Sequence, residues 1–175
     1  MEEENNLKGL KGWLIFIGLG LVVSPLRLAA EIGPMFYKMF TDGSFEYLTT
    51  PGTESYNPLW EPLLIFEASY NGFMILFAFF LAYLFFKKHY QFPKLYIVFA
   101  ILPVILIPMD AWLSSLVLKN EEMFDAATAK EMVRALLGAI VWIPYMLVSK
   151  RVKITFVEGR SVDAEQVKTP EDKTE

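Results

Sequence analysis

Cysteine is absent from the 175-residue chain, and His89 is its only histidine. The lack of cysteine excludes disulfides, thiolate nucleophiles and cysteine-ligated metals. A single histidine argues against a histidine metal site and against a Ser/His/Asp triad. The sequence also has no basic surface interleaved with aromatic residues, which is typical of nucleic-acid-binding proteins. These absences predict a non-enzymatic protein without a metal, a cofactor or a nucleic-acid partner.

The formal net charge of −4 is concentrated in the two tails of the chain. Glu2, Glu3 and Glu4 stand at the start, and residues 158–175 carry a second excess of acids. Acidic tails of this kind are usually solvated. We therefore predict that residues 1–11 form a cytoplasmic N-terminal segment and that residues 158–175 form a disordered acidic cytoplasmic tail.

Between the tails, apolar residues are collected into four long runs. Hydrophobic residues make up 54% of the chain and aromatic residues 15%. A helix of about 20 apolar residues crosses the hydrocarbon core of a bilayer. The sequence therefore predicts an all-α, integral membrane four-helix bundle over residues 12–157. Its spans are predicted at about 12–31, 62–86, 95–118 and 131–148, with an outer loop at 33–61 that contains a short amphipathic piece at 35–40.

The first run has a rival interpretation as a cleaved signal peptide, with Ala29-Ala30 as the cleavage site. A signal peptide has a shorter apolar core, however, and Arg27 just before the two alanines is unfavourable there. We therefore expect the first span to be retained.

Basic residues lie predominantly at one end of the predicted bundle, which predicts its orientation. Cytoplasmic loops of membrane proteins carry an excess of Lys and Arg. Both termini are therefore expected in the cytoplasm, and the chain is expected to be a multi-pass protein of the bacterial inner membrane, in contact with the lipid bilayer. The main topology determinants are Lys87, Lys88, Lys94, Lys150, Arg151 and Lys153.

Six polar side chains interrupt the apolar runs at a similar predicted depth, in the outer third of the membrane. They are Arg27, Glu31, Glu67, Asn71, Asp110 and Arg134. A charge that faces lipid costs at least about 2.5–3.5 kcal/mol, so these residues should face the bundle and pair. We expect Arg27 to pair with Glu67 or Asp110, and Arg134 with the remaining acid.

The function of this polar cluster has three possible explanations. The residues nearest the membrane edge can extend to the interface and simply mark the span boundary. The deeper acids can form an ion network that fixes helix register, or they can belong to a proton or cation pathway.

Pro103 and Pro108 lie inside the third apolar run and predict a helix break. Each proline removes one backbone donor and frees a carbonyl one turn earlier. Transporters use such breaks to coordinate substrates or ions. Ordinary membrane helices also accommodate proline, and this alternative stays open at the level of sequence.

Several short motifs resemble one family of small four-span membrane proteins. They include Lys11-Gly12-Trp13-Leu14, Phe66-Glu67, Phe92-Pro93-Lys94-Leu95-Tyr96, Trp142-Ile143-Pro144-Tyr145 and Ser149-Lys150-Arg151-Val152-Lys153. Together they resemble the bacterial domain of unknown function 2569 family over about residues 8–157. The resemblance implies the architecture and residence in the inner membrane. It implies no catalytic residue.

Three functional hypotheses follow. The first is a non-enzymatic accessory or regulatory membrane component that binds a membrane-protein partner or self-associates. The second is a small oligomeric transporter, or a proton- or ion-coupled carrier, that uses the polar cluster. The third is an immunity-type protein that acts against a pore-forming toxin.

Overall fold

The computed structural model describes residues 9–118 and 122–159. In these residues the chain forms six helices: α1 (Trp13–Thr41), α2 (Ser44–Thr49), α3 (Trp60–Phe86), α4 (Phe92–Val117), α5 (Ala126–Val148) and α6 (Lys150–Thr155). Helices α1, α3, α4 and α5 are long and apolar enough to cross a membrane. The predicted all-α architecture with four spans is confirmed. The N-terminal segment up to residue 8 and most of the predicted acidic tail, residues 160–175, lie outside the described residues.

Two helix boundaries differ most from the predicted ones. Helix α1 continues past residue 31, through Pro34, to Thr41. The first part of the predicted outer loop is therefore helical, and α2, at Ser44–Thr49, is a second helical segment within that loop. Helix α5 begins at Ala126, before the predicted start at 131, because Asp125 caps its first turn: the Asp125 carboxylate accepts a hydrogen bond from the Thr128 backbone N–H at 2.7 Å.

Of the two alternatives for Pro103 and Pro108, the structure shows accommodation within a continuous helix, and the helix break does not occur. Helix α4 runs without interruption from Phe92 to Val117, with both prolines inside it. Prolines also lie within α1 and α5 without ending those helices. In an apolar environment the remaining backbone hydrogen bonds have no water to compete with them, so a helix tolerates the loss of single donors.

The four long helices pack in chain order. Helix α1 packs on α3, α3 on α4, and α4 on α5, whereas α1 and α5 have few contacts with each other. The bundle is therefore incompletely closed between its first and last spanning helices.

One end, which we call the terminal end, is tightly closed by aromatic packing. The rings of Phe92 and Phe156 stack with centroids 4.6 Å apart, and Phe85 packs edge-on against Phe92 at 5.2 Å. All three side chains are at most 3% exposed. The core of the protein therefore lies at this end, and α6 contributes to it although it is only six residues long.

Hydrogen bonds join the two ends of the described chain to each other, and they join the C-terminal end to the turn between α3 and α4. The Gly9 backbone N–H donates to Thr155 Oγ1 at 3.1 Å. The Tyr90 N–H donates to the Glu158 carbonyl at 3.0 Å, and the Glu158 N–H donates to the Lys88 carbonyl at 3.2 Å. The turn at 87–94 and the segment 150–153, which carry the topology determinants, therefore lie together at the terminal end.

Candidate functional site

A cavity of about 650 Å³ lies at the opposite end of the bundle, which we call the far end. All four long helices contribute to its wall, together with residues 122–125 just before α5. Each helix contributes a stripe of residues spaced three or four apart, the spacing that places side chains on one helix face. On α4 the stripe includes Ile107, Asp110, Ala111 and Ser114.

The charged residues that line this cavity are all acidic among the residues that the structure describes. They are Glu67, Asp110, Glu122, Asp125 and Glu131. The same wall carries uncharged polar groups from Tyr70, Asn71, Ser114, Ser115 and Thr128. We call it the acid-lined cavity. Carboxylates surrounding a space of low dielectric constant attract a positively charged ligand and repel an anion.

Glu67 of α3 and Asp110 of α4 form the deepest part of this acidic wall. Their carboxyl groups lie within hydrogen-bonding reach of each other. The Oδ1 atom of Asp110 is buried and finds no donor in the described part of the chain. A carboxylate can only accept hydrogen bonds, so a proton on one of the two groups, a water molecule or a cation would supply the missing partner.

Local hydrogen bonds position two other parts of the wall. The Asn71 side-chain amide donates to the Glu67 backbone carbonyl, one turn earlier, at 2.9 Å. The Asp125 carboxylate caps α5, and the hydrogen bonds it receives from Thr128 hold its pKa below the ordinary value. Asp125 therefore contributes a negative charge at the mouth of the cavity near neutral pH.

The carboxylates are spread around the cavity wall. No three acidic or histidine side chains of residues 9–118 and 122–159 are close enough together to hold one metal ion.

The arginine pairings expected from the sequence are wrong. Arg27 pairs within its own helix, with its Nε atom 2.8 Å from Glu31 Oε1, and both side chains are more than half exposed. Arg134 is exposed and makes no ion pair in the part of the chain that the structure describes. Helix rotation is the reason: Leu28 and Ile32 of α1 line the acid-lined cavity, whereas Arg27 and Glu31, one position earlier in each case, do not.

Of the six polar residues selected from the sequence, the structure brings three together. Glu67, Asn71 and Asp110 line the cavity, whereas Arg27, Glu31 and Arg134 do not. Sequence reasoning missed Tyr70, Ser114, Glu122 and Asp125. The sequence spacing could have predicted two of them: Tyr70 is three residues after Glu67, and Ser114 is four residues after Asp110. Polar residues three or four apart share a helix face.

Comparison with known proteins identifies one family. The family described as "Protein of unknown function (DUF2569)" matches residues 7–157. No curated protein and no solved structure matches the chain.

Proposed function

Since this chain belongs to the DUF2569 family, whose function is unknown, we propose from the geometry of the site that it is a non-enzymatic inner-membrane protein that binds a cationic ligand. The supporting observation is the acid-lined cavity, with carboxylates from α3, α4 and α5 and no basic side chain among the described residues of its wall. A small ion-coupled carrier or a ligand-sensing accessory protein requires such a site.

The loss of the expected arginine pairs strengthens this proposal. An acid–arginine network explains buried carboxylates as a structural lock, because the positive charges compensate them. Here Arg27 is engaged with Glu31, so Glu67 and Asp110 have no internal cation as partner. A bound cation supplies the missing compensation.

The expected orientation of the protein determines on which side of the membrane the acid-lined cavity opens. With Lys87, Lys88, Lys94, Lys150, Arg151 and Lys153 at the terminal end, the positive-inside rule assigns that end to the cytoplasm. The acid-lined cavity then opens towards the outer leaflet and receives its ligand from that side.

The test is calorimetric titration of the full-length protein in detergent with ethylammonium and with tetramethylammonium. We expect binding that weakens by about tenfold or more in Glu67→Gln and in Asp110→Asn, because each change removes one charge from the site. Glu54→Gln is the matched control: it removes an exposed acid that neither lines the cavity nor pairs with Arg27, and it should leave binding unchanged. Equal binding by all four proteins would contradict the proposal.

A second candidate function is an accessory component that associates through α4 and α5. Only 6% of the apolar segment of each of these helices is buried, against 28% for α1 and 33% for α3. These two helices pack mainly on each other, and their remaining apolar faces are available for a second copy or another membrane protein.

Native mass spectrometry from mild detergent tests this second candidate. Leu137→Trp and Ile140→Trp enlarge side chains that are 59% and 66% exposed on α5, and they should dissociate an oligomer. Leu76→Trp, at a 70% exposed position of α3, is the control. A monomeric wild type that copurifies with no stoichiometric partner would rule out this role.

A further inference from the structure

A second cavity, of about 240 Å³, adjoins the acid-lined cavity. The two share Leu28 of α1 as a common wall residue. The second cavity lies nearer the terminal end, between α1, α3, α4 and Trp142 of α5. We call it the apolar cleft.

The wall of the apolar cleft is almost entirely hydrocarbon and aromatic. Representative residues are Ile17, Leu21, Met74, Ala78, Phe99 and Trp142, and polar groups enter only through Ser24 and Tyr96. A space with this lining does not hold water well and accepts apolar groups. It therefore differs in chemistry from the acid-lined cavity above it.

Small residues keep the cleft open. Gly20 lines it, and a Cβ atom at this position would meet no atom within 4 Å. Gly18, two residues earlier and on another face of α1, is different: a Cβ atom there would lie 2.7 Å from Phe85 Cε1. The α1 helix is therefore in close contact with α3 at Gly18 and leaves a gap at Gly20, so that a slender chain can enter beside it.

We propose that the two cavities form one site for an amphiphile, with a protonated amine in the acid-lined cavity and a hydrocarbon chain in the apolar cleft. This inference rests on the proposed cation-binding function and specifies the class of ligand. Charge complementarity selects the amine, because the described wall of the head cavity carries five acids and no base. The apolar lining and the opening between α1 and α5 select a chain that enters from the surrounding lipid.

The physical chemistry favours an amphiphile with a cationic head over two alternatives. An amphiphile with an anionic head would place its charge among carboxylates, which costs free energy at every contact. A short amine without a chain would occupy only the upper cavity and leave the apolar cleft unused. The combination of both cavities therefore points to a cationic lipid-like molecule.

The test uses dodecylamine brominated at the end of its chain, because bromine quenches a nearby tryptophan. Trp142 lines the apolar cleft, so the protein is prepared in full length with Trp13, Trp60 and Trp112 replaced by phenylalanine. We expect the amine to quench Trp142 at about tenfold lower concentration than the equally brominated dodecanol, which has the same chain and no charge.

Two leucine substitutions provide the matched pair. Gly20→Leu fills the apolar cleft and should abolish the advantage of the brominated amine over the alcohol, while ethylammonium binding is retained. Gly138→Leu adds the same side chain on α5, where a Cβ also meets nothing within 4 Å, and Gly138 does not line the cleft. The Gly138→Leu variant should therefore show the same quenching as the protein that keeps only Trp142.

The outcomes separate this inference from the proposed function. If ethylammonium binds in a Glu67-dependent manner but brominated amine and alcohol quench alike, the amphiphile inference is wrong and the cation site stands. If Gly20→Leu and Gly138→Leu have the same effect, the chain does not occupy the cleft. If no amine binds, both proposals fall. Should the tryptophan-depleted protein not fold, titration of wild type and Gly20→Leu with unlabelled dodecylamine decides in its place.

Discussion

The carboxyl groups of Glu67 and Asp110 face each other between α3 and α4, within hydrogen-bonding reach and without a basic partner in the described chain. Two carboxylates cannot satisfy one another, because neither has a hydrogen to donate. A proton shared by the two groups, a water molecule or a bound cation would satisfy them.

The first prediction concerns this pair. Glu67→Gln places an amide donor opposite Asp110 Oδ1, which has no donor in the described structure. We expect the free energy of unfolding to rise by about 1 kcal/mol, the typical net contribution of a hydrogen bond, while cation affinity falls. Unfolding in sodium dodecyl sulfate, followed by circular dichroism, measures the first quantity. A loss of both stability and binding would mean that the carboxylates have a structural partner instead.

The second prediction compares two glycines of α1. Gly18→Ala should lower stability by about 1–3 kcal/mol, since the new methyl group meets Phe85 and that ring is held by its own neighbours. Gly20→Ala should be neutral or stabilising by up to about 1 kcal/mol, because alanine favours the helix and has space. Thermal unfolding of the two variants side by side measures the difference. Similar melting temperatures would contradict the close approach of α1 and α3.

The third prediction concerns the closed terminal end. Phe156→Ala removes a ring that is 3% exposed and stacked on Phe92, and it should cost about 3–5 kcal/mol of stability. The neighbouring Val157→Ala, at a side chain that is 37% exposed, should have a much smaller effect. Because the acid-lined cavity lies at the other end, any Phe156→Ala protein that remains folded should still bind ethylammonium. Loss of binding at intact helicity would contradict the separation of the two ends.

The fourth prediction concerns the cap of α5 and its dependence on pH. The hydrogen bonds that Thr128 donates lower the pKa of Asp125 from its ordinary value of 3.8. A group whose pKa is lower in the folded state stabilises that state above the unfolded pKa, and the contribution is lost as the pH falls through the folded pKa. Amide exchange at Thr128 should therefore accelerate below pH 3.8 beyond the intrinsic rate. Asp125→Ala should exchange rapidly at all pH values, whereas unchanged protection in that variant would argue against the cap.

The fifth prediction tests the orientation. Because the chain has no cysteine, single cysteines can be introduced without background. Glu54→Cys, in the segment between α2 and α3, should react with a membrane-impermeant maleimide in intact spheroplasts, and Gln91→Cys, at the terminal end, only after permeabilisation. Both wild-type side chains are exposed. The reverse pattern would place the termini outside.

The four spans could be predicted from sequence because span length and hydropathy are local properties. About 20 apolar residues satisfy the bilayer wherever they occur in a chain. The same reasoning failed at Pro103 and Pro108, since a proline in α4 removes a donor without ending a helix that has no water around it. It also ended the first span too early, because Gly33 and Pro34 resemble a loop sequence while α1 continues to Thr41.

Only one of the two properties that define the candidate site, the depth of its residues along each helix, could be predicted from sequence. Depth along a helix follows from residue number at 1.5 Å per residue, so Glu67 and Asp110 could be assigned to one level. Which side of each helix faces its neighbours does not follow from depth. Arg27 lies on the level expected for a partner of these acids, yet it pairs with Glu31 on an exposed face.

The sequence by itself determined that this is a cysteine-free membrane protein with four apolar spans and a basic cluster at its terminal end, because composition and run length suffice for those conclusions. Only the tertiary structure decided that the acids of α3, α4 and α5 surround one cavity and that the arginines stay outside it. The reason is physical: helix rotation and the incomplete closure between α1 and α5 arise from the packing of all four helices together, such as Gly18 against Phe85. No single span contains that information.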